Sequence, residues 1–437
     1  MPDDELVVSY RWVVLGIGLF AMTAGAAYAQ GLASITPALR AHYGIQLGTI
    51  GVLLGAVSLG ITPAVLPWGL AADRWGERPV MAVGMLSAAA SLVLLAQQRH
   101  LAAVVGLLVA GGAASASVNA ASGRAVMQWF PAKGRGLAMA IRQTSSPLGA
   151  GLAAVVLPPF ARAYGVPAVY YLLAAFCTSS AIAVLLFMRP APPAQPAVPK
   201  ATPHPIDSPD PTRATSPSEA SRPTRASRPR SVLRDRRLWI VSFAAGLLVV
   251  PQFALTALLV EYLTTAQAVT VSAAALVLAV AQAGGAVARL VNGAWTDRTT
   301  ERIGPLAIVA GLIAAGCAAV VATAGAPTPA VIIVIVLAAT LAISWNGMAN
   351  LVAAELAGPE QTGAAIGLEN TLAFLAAAAT PPVLAVIITH TSWTVGHVIP
   401  GVASVIACIL LIRVRRQIRI AGNQAELPTS AVARSGQ

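Results

Sequence analysis

The chain has 437 residues, of which 57% are hydrophobic and 10% charged, with a formal net charge of +12. Apolar runs of membrane-crossing length recur throughout, which excludes a soluble globular class and reads as an all-α, polytopic membrane protein. A basic balance can signal nucleic-acid binding, but here the placement of the charge, given below, assigns it to topology.

Predicted helices, numbered 1 to 12 in chain order, lie at about 11–36, 47–71, 79–97, 101–127, 134–160 and 167–188. The second set lies at about 236–264, 270–295, 303–324, 328–352, 361–388 and 395–416. The opening Met1-Pro2-Asp3-Asp4-Glu5 is acidic, and the first apolar run is too long for a signal peptide, so helix 1 is expected to remain as an anchor. With both termini cytoplasmic, only Arg40, Arg99 and Arg162 fall outside and only Arg142 and Arg289 fall within helices. All other Lys and Arg then lie at the inner face, which is the positive-inside pattern. The expected location is the cell (inner or plasma) membrane of a prokaryote, since low Lys with high Ala and Arg looks like a GC-rich genome. Cys177, Cys317 and Cys408 sit in helices 6, 9 and 12 and read as apolar packing residues, not as a disulfide or metal framework.

Residues 190–235 separate a bundle at 1–189 from a second at 236–420, with a cytoplasmic tail at 421–437. The segment opens with Pro190-Ala191-Pro192-Pro193 and is rich in Pro and Arg. It cannot bury a core and is expected to be a disordered cytoplasmic linker.

The two halves repeat. Gly69-Leu70-Ala71-Ala72-Asp73-Arg74 ends helix 2, and Gly293-Ala294-Trp295-Thr296-Asp297-Arg298 ends helix 8. Gly136 to Thr144 aligns with Gly363 to Thr371, which sets Arg142 against Glu369. Asn119 pairs with Asn346, and Tyr28 with Gln252. Internal repeats of this kind build secondary transporters with a substrate site between the halves.

The stretch Gly69 to Arg78 resembles the loop between helices 2 and 3 of the major facilitator superfamily, of the form G-x-L-A-D-R-x-G-R-R. Glu77 stands where that family often has a second basic residue. The resemblance implies two pseudo-symmetric six-helix bundles. It also implies that Asp73, with Arg74 and Arg78, latches the cytoplasmic side, and that Asp297 is a weaker copy. Helix-end charges that merely enforce topology are the alternative.

Helices rise about 1.5 Å per residue. Arg142, Arg289 and Glu369 therefore share a depth of roughly 12 Å from the inner boundary, near the middle of a ~30 Å core. A charge there costs roughly 2.5–3.5 kcal/mol on insertion scales and usually faces a partner or an aqueous path. Ala288-Arg289-Leu290-Val291-Asn292-Gly293 resembles helix 8 of the oxalate/formate, monocarboxylate and nitrate carriers, where an arginine binds the substrate's oxyanion. A guanidinium suits that task because its planar donor fork matches a carboxylate. Arg289 can equally be structural, and Val65 at the matching place argues against a two-arginine nitrate site.

Glu369 is the expected proton-coupling group, with a permanent Arg142–Glu369 ion pair as the alternative. Glu261 lies near the outer surface, as an interfacial charge or outer gate. Gln143, Asn370, Asn119, Asn346, Tyr28 and Gln252 join Arg289 and Arg142 as expected cavity residues, although each can be an interhelical hydrogen bond. Ser145-Ser146-Pro147-Leu148-Gly149-Ala150-Gly151 partly resembles the Gly-Pro motif of the superfamily's drug/proton antiporters. No Walker loop, enzyme chemistry, cofactor or metal site is read.

The expectation is a monomeric secondary carrier of a small organic anion, working by alternating access and coupled to protons or to a counter-anion. Proton-antiport efflux of a lipophilic compound is the alternative. A transport-dead sensor using the linker as its output is a third reading.

Overall fold

The computed structural model describes residues 2–130, 138–139, 141–189, 234–299, 301–358 and 362–425. Most of the expected linker, Gly136, Leu137 and Ala140 lie outside the described residues, and so does the side chain of Asp297.

Among the described residues, twelve helices are long and apolar enough to span a membrane. In chain order they are α1 (Tyr10–Tyr43), α2 (Leu47–Trp75), α3 (Glu77–Leu95), α4 (Leu101–Trp129), α5 (Ile141–Tyr164) and α6 (Val166–Phe187). The second set is α7 (Arg236–Ala257), α8 (Val271–Thr296), α9 (Ile303–Ala322), α10 (Thr328–Ala357), α11 (Ala365–His390) and α12 (Trp393–Ile420). Helices dominate because lipid offers the backbone no hydrogen bonds, so each spanning segment must satisfy its own N–H and C=O groups. Within the first bundle α2 packs on α4 and α3 on α4 and α6; within the second α9 packs on α12 and α11 on α7. Each bundle has its own apolar core, built around Tyr28, Leu53, Met85 and Leu92 in one and Leu248, Ile313 and Trp345 in the other.

Four spans are interrupted. The helix opening at Pro2 gives way to a 3-10 turn at Leu32–Ile35, then resumes at Thr36–Tyr43. Helix α7 breaks at Leu258 before a short helix, Leu259–Thr265, at the matching end of the second half. A turn at Thr144 interrupts α5, and Ser344–Trp345 interrupts α10. At the other end of the chain the last helix continues to Ala425, well past the expected end at about 416 and into the expected tail. Its extra turns are tied down by Arg415 and Arg419, which bind Glu301 at 2.6 and 2.9 Å. Arg415 foremost, and then Arg419, hold the Glu301 carboxyl below its usual range.

The bundles meet along two seams, α2 with α11 and α5 with α8. With an even number of spans, both chain ends lie on one side, and the first seam is tightest on the opposite, far side. Gly51 and Gly55 of α2 lie so close to α11 that a Cβ on Gly51 would sit 2.5 Å from Pro381 O, and one on Gly55 2.3 Å from Ala378 O. Small residues permit such backbone approach in membranes. Toward the terminus-bearing side α2 leaves α11, and Leu66 and Leu70 are 72% and 62% exposed.

A side chain at position 55 should therefore hold the far-side seam open. With the native cysteines replaced, Ala33→Cys is expected to label several-fold faster with an impermeant thiol reagent in a Gly55→Val background than with Gly55. Equal labelling rates would show that backbone contact does not seal this seam.

Candidate functional site

One ion pair joins the halves among the described residues. Arg40 Nη1, on the outer segment of α1, meets Glu261 Oε1 on the short helix after α7. Glu261 is 1% exposed and its other oxygen has no partner, so Arg40 is its only charge compensation. The remaining pairs stay within one half. Arg124 of α4 binds Asp73 at 2.5 Å and Glu77 at 2.9 Å, and Arg302 binds Glu355 at 2.7 Å.

In this structure Asp73 does not pair with Arg78, which instead donates to Leu185 O, and Arg74 is exposed. Glu77, the departure from the family pattern, supplies the second carboxylate that draws Arg124 onto this corner. Nothing in the Gly69–Arg78 motif itself names Arg124, because a partner on another helix is a matter of helix packing.

Between the halves, on the far side of the midplane, lies a small cavity of about 20 Å³. Ala33, Leu54, Phe253 and Leu278 give it an apolar wall, and Gln30, Thr256 and Gln282 supply its polar groups. Gln30 Nε2 donates to Ser146 Oγ of α5 at 2.8 Å. The sequence reading missed Gln30, Ser146 and Gln282 as site residues. For Gln30 and Gln282 the signal was an amide inside an apolar run, as at Gln252; Ser146 carries only a hydroxyl in a small-residue stretch. The small residues that follow in α5 serve packing on two fronts: Gly149 lies against the α1 backbone and Gly151 against Gln282 of α8.

Arg289 sits where two helix breaks meet. Its Nε donates to Ile343 O at 2.8 Å, its Nη2 to Asn346 Oδ1 at 2.6 Å, and its Nη1 crosses the seam to Gln143 O at 2.8 Å. Asn292, one turn on, donates to Ser344 O at 3.3 Å. Carbonyls released by a break in the bilayer interior need donors from side chains. Arg289 meets that need on both sides of the seam, at Gln143 of α5 and Ile343 of α10. Three of its five N–H groups are thereby used.

Arg142 is buried against α4. Its Nε donates to Ser122 Oγ at 2.9 Å and its Nη2 to Asn119 O at 2.7 Å. Glu369 is 2% exposed, and Oε2 has no hydrogen-bond partner. The Arg142–Glu369 ion pair is thus absent. Arg142 turns into its own bundle, so equal depth and opposite charge do not bring the two together. Neither guanidinium has a carboxylate partner among the described residues.

Other expected cavity residues divide by position. Tyr28 lies inside the first bundle, donating to Leu108 O at 3.1 Å, because Gly111 leaves room for its ring and hydroxyl. Gln252 is buried with its amide oxygen unpartnered. Asn119, Gln143 and Asn346 gather around the two arginines, the first two through backbone carbonyls. Asn370 is half-buried beside Glu369 in sequence and joins none of these bonds.

Two helical bundles around a mid-depth polar seam, joined at one end by an ion pair between them, have the architecture of a membrane transporter. A family model of the Major Facilitator Superfamily matches residues 13–381 and 254–434. The chain belongs to that superfamily. It is 30% identical over 415 residues to an uncharacterized MFS-type transporter of Mycobacterium tuberculosis, spanning 95% of this chain and 87% of the relative. Among solved structures it resembles a bacterial homolog of the human lysosomal transporter Spinster, in an inward-facing and occupied conformation. The TM-score is 0.72 at 14% identity, covering 93% of this chain and 97% of that one. The nucleoside transporter NupG gives a TM-score of 0.68 at 13% identity, covering 92% and 99%. These structural likenesses concern the fold, and none of these relatives adds support to the small-anion resemblance of α8.

Removing either partner of the far-side ion pair should weaken the closed seam. Glu261→Gln is expected to destabilise the protein by about 1–3 kcal/mol, less than a fully buried pair because Arg40 is partly exposed. A thermal-unfolding double-mutant cycle with Arg40→Gln is the check. Strictly additive losses would show that the contact carries no coupling energy.

Proposed function

We propose that this transporter carries a small organic anion by alternating access, and that Glu369 couples the cycle to protons. With both termini cytoplasmic, as the positive-inside pattern implies, the far-side closure corresponds to an inward-facing state. The observation that carries the substrate reading is the pair of mid-depth guanidiniums, Arg142 and Arg289, which have neutral acceptors but no acidic partner among the described residues. Positive charge held in a low-dielectric seam favours an anion arriving with its own negative charge. The Arg289 bond to Gln143 O crosses the interface between the bundles, so this donor is linked to their relative motion. A carboxylate substrate would compete with the neutral Gln143 carbonyl for it.

A second reading, efflux of a lipophilic compound, draws on the apolar wall of the chamber formed by Leu54, Phe253 and Leu278. Uptake and counterflow in proteoliposomes, against a panel of carboxylates and neutral dyes, tests both. Anion-selective counterflow supports the first reading, and dye transport without anion transport supports the second.

Arg289→Lys keeps the charge but loses the fork. Apparent affinity for the transported anion is expected to fall on the order of tenfold, equivalent to about 1.4 kcal/mol. An equal loss of anion and dye transport would reduce Arg289 to a cap for the two helix breaks. Glu369→Gln is expected to abolish pH-gradient-driven accumulation while sparing substrate exchange, because exchange needs no net proton step. Undiminished accumulation in folded Glu369→Gln protein would remove Glu369 from the coupling mechanism.

A further inference from the structure

A second cavity, of about 210 Å³, lies on the seam between α5 and α8. It continues outward from the contact of Gly151 with Gln282, so it sits on the far side, between the end of α5 and the start of α8. Small side chains make its floor. Ala154 and Ala275 are each 1% exposed, and Ala154 of α5 packs into the apolar core of the second bundle. Larger side chains make the rims. Val155 and Leu276 line the cavity and are 53% and 58% exposed, so within these spanning helices it opens sideways to lipid. It shares no lining residue with the chamber, whose α8 wall is Leu278 and Gln282.

One charge lines this groove. Arg162, in the last turn of α5, is exposed and makes neither an ion pair nor a hydrogen bond among the described residues. The far side offers it no free carboxylate: among the described residues the one acid there is Glu261, and Arg40 takes it. Tyr164, two residues on and 70% exposed, is of the amphipathic aromatic kind that settles at headgroup level. From Arg162 down to Val155 is about 10 Å of helix. The headgroup layer on each face of a bilayer is about 5–8 Å thick. A phosphate held by Arg162 therefore leaves its acyl chains at the level of Val155 and Leu276.

We propose that this groove binds an anionic phospholipid of the far-side leaflet, with its phosphate on Arg162 and an acyl chain against Val155 and Leu276. The planar guanidinium fork matches two phosphate oxygens. A choline headgroup carries the same phosphate but neutralises it with its own ammonium, and a free phosphate ion gains nothing from the apolar rims. The two walls belong to different bundles, so separating the bundles on the far side dismantles the groove. A ligand that binds one conformation better shifts the population toward it. Bound lipid therefore favours the state in which the far side is closed.

The test is photocrosslinking of the full chain in phosphatidylcholine nanodiscs that carry a trace of phospholipid with a diazirine in its acyl chain, either phosphatidylglycerol or phosphatidylcholine. Adducts on the α5 and α8 segments lining the groove are expected to be several-fold more abundant with phosphatidylglycerol. They should fall to the phosphatidylcholine level in Arg162→Gln and persist in Arg162→Lys. Arg162 is exposed and bonded to nothing, so both variants should fold. Equal adducts from the two lipids, an unchanged yield in Arg162→Gln, or loss of adducts on adding inorganic phosphate would overturn the lipid site. Closure is read separately, with the native cysteines replaced, from thiol labelling of Ala33→Cys. Unlabelled phosphatidylglycerol in the nanodiscs should slow that labelling several-fold with Arg162 in place and not in Arg162→Gln. An equal effect in both, or none in either, would overturn the link between this lipid and closure.

Discussion

The structure depends on one constraint: no backbone N–H or C=O can go unpaired in hydrocarbon. Continuous helices meet it without help, and most of the chain is built that way. Where a helix breaks inside the membrane, a side chain must stand in for the missing turn. Arg289 and Asn292 do so for α10, and Arg289 reaches across the seam to do so for α5. The same side chain therefore braces one bundle internally and touches the other. That double duty ties the geometry of two broken helices to the relation between the halves.

The seams follow a different rule. Without water to drive apolar association, helices in lipid adhere through close packing, which small residues allow. Gly51 and Gly55 let α2 lie directly on the backbone of α11, and Gly151 brings α5 against α8. Contacts of this kind involve few strong bonds and can be exchanged for others as the bundles rock. Arg40 and Glu261 add a charge contact at the far edge, where one partner still reaches solvent. A latch half in water holds without the full desolvation penalty of a buried pair.

Polar chemistry is divided between two compartments. The chamber between the bundles is neutral and largely apolar, with Gln30, Thr256 and Gln282 as its polar groups; nearer the chain termini Arg289 bridges the seam and Arg142 is buried against α4. Glu369 on α11 is buried, with one carboxyl oxygen lacking a hydrogen-bond partner. Keeping an acid apart from two arginines avoids mutual neutralisation, which would leave neither group free to exchange a ligand or a proton.

Composition and periodicity alone established twelve spans, the internal repeat, and the unusual depth of Arg142, Arg289 and Glu369. Those features are local: length, hydropathy and spacing are written along one strand of sequence. The motif Gly69 to Arg78 was legible as a family signature, yet its partner Arg124 was not, since helix rotation decides which side chains face each other. For the same reason Tyr28 turned out to fill the first bundle rather than the chamber, and the duplicated Arg142 and Glu369 turned away from each other. The interruption at Thr144 is marked by Pro147, whose missing N–H leaves Gln143 O without its helical partner, and Gly347 follows the one at Ser344–Trp345; the sequence did not show that Arg289 and Asn292 bring the donors that cap them. The sequence by itself determined the class, the repeat and the depth of each charge. Only the tertiary structure decided which charges meet, because rotation about a helix axis is set by packing between helices and leaves no periodic trace in the chain.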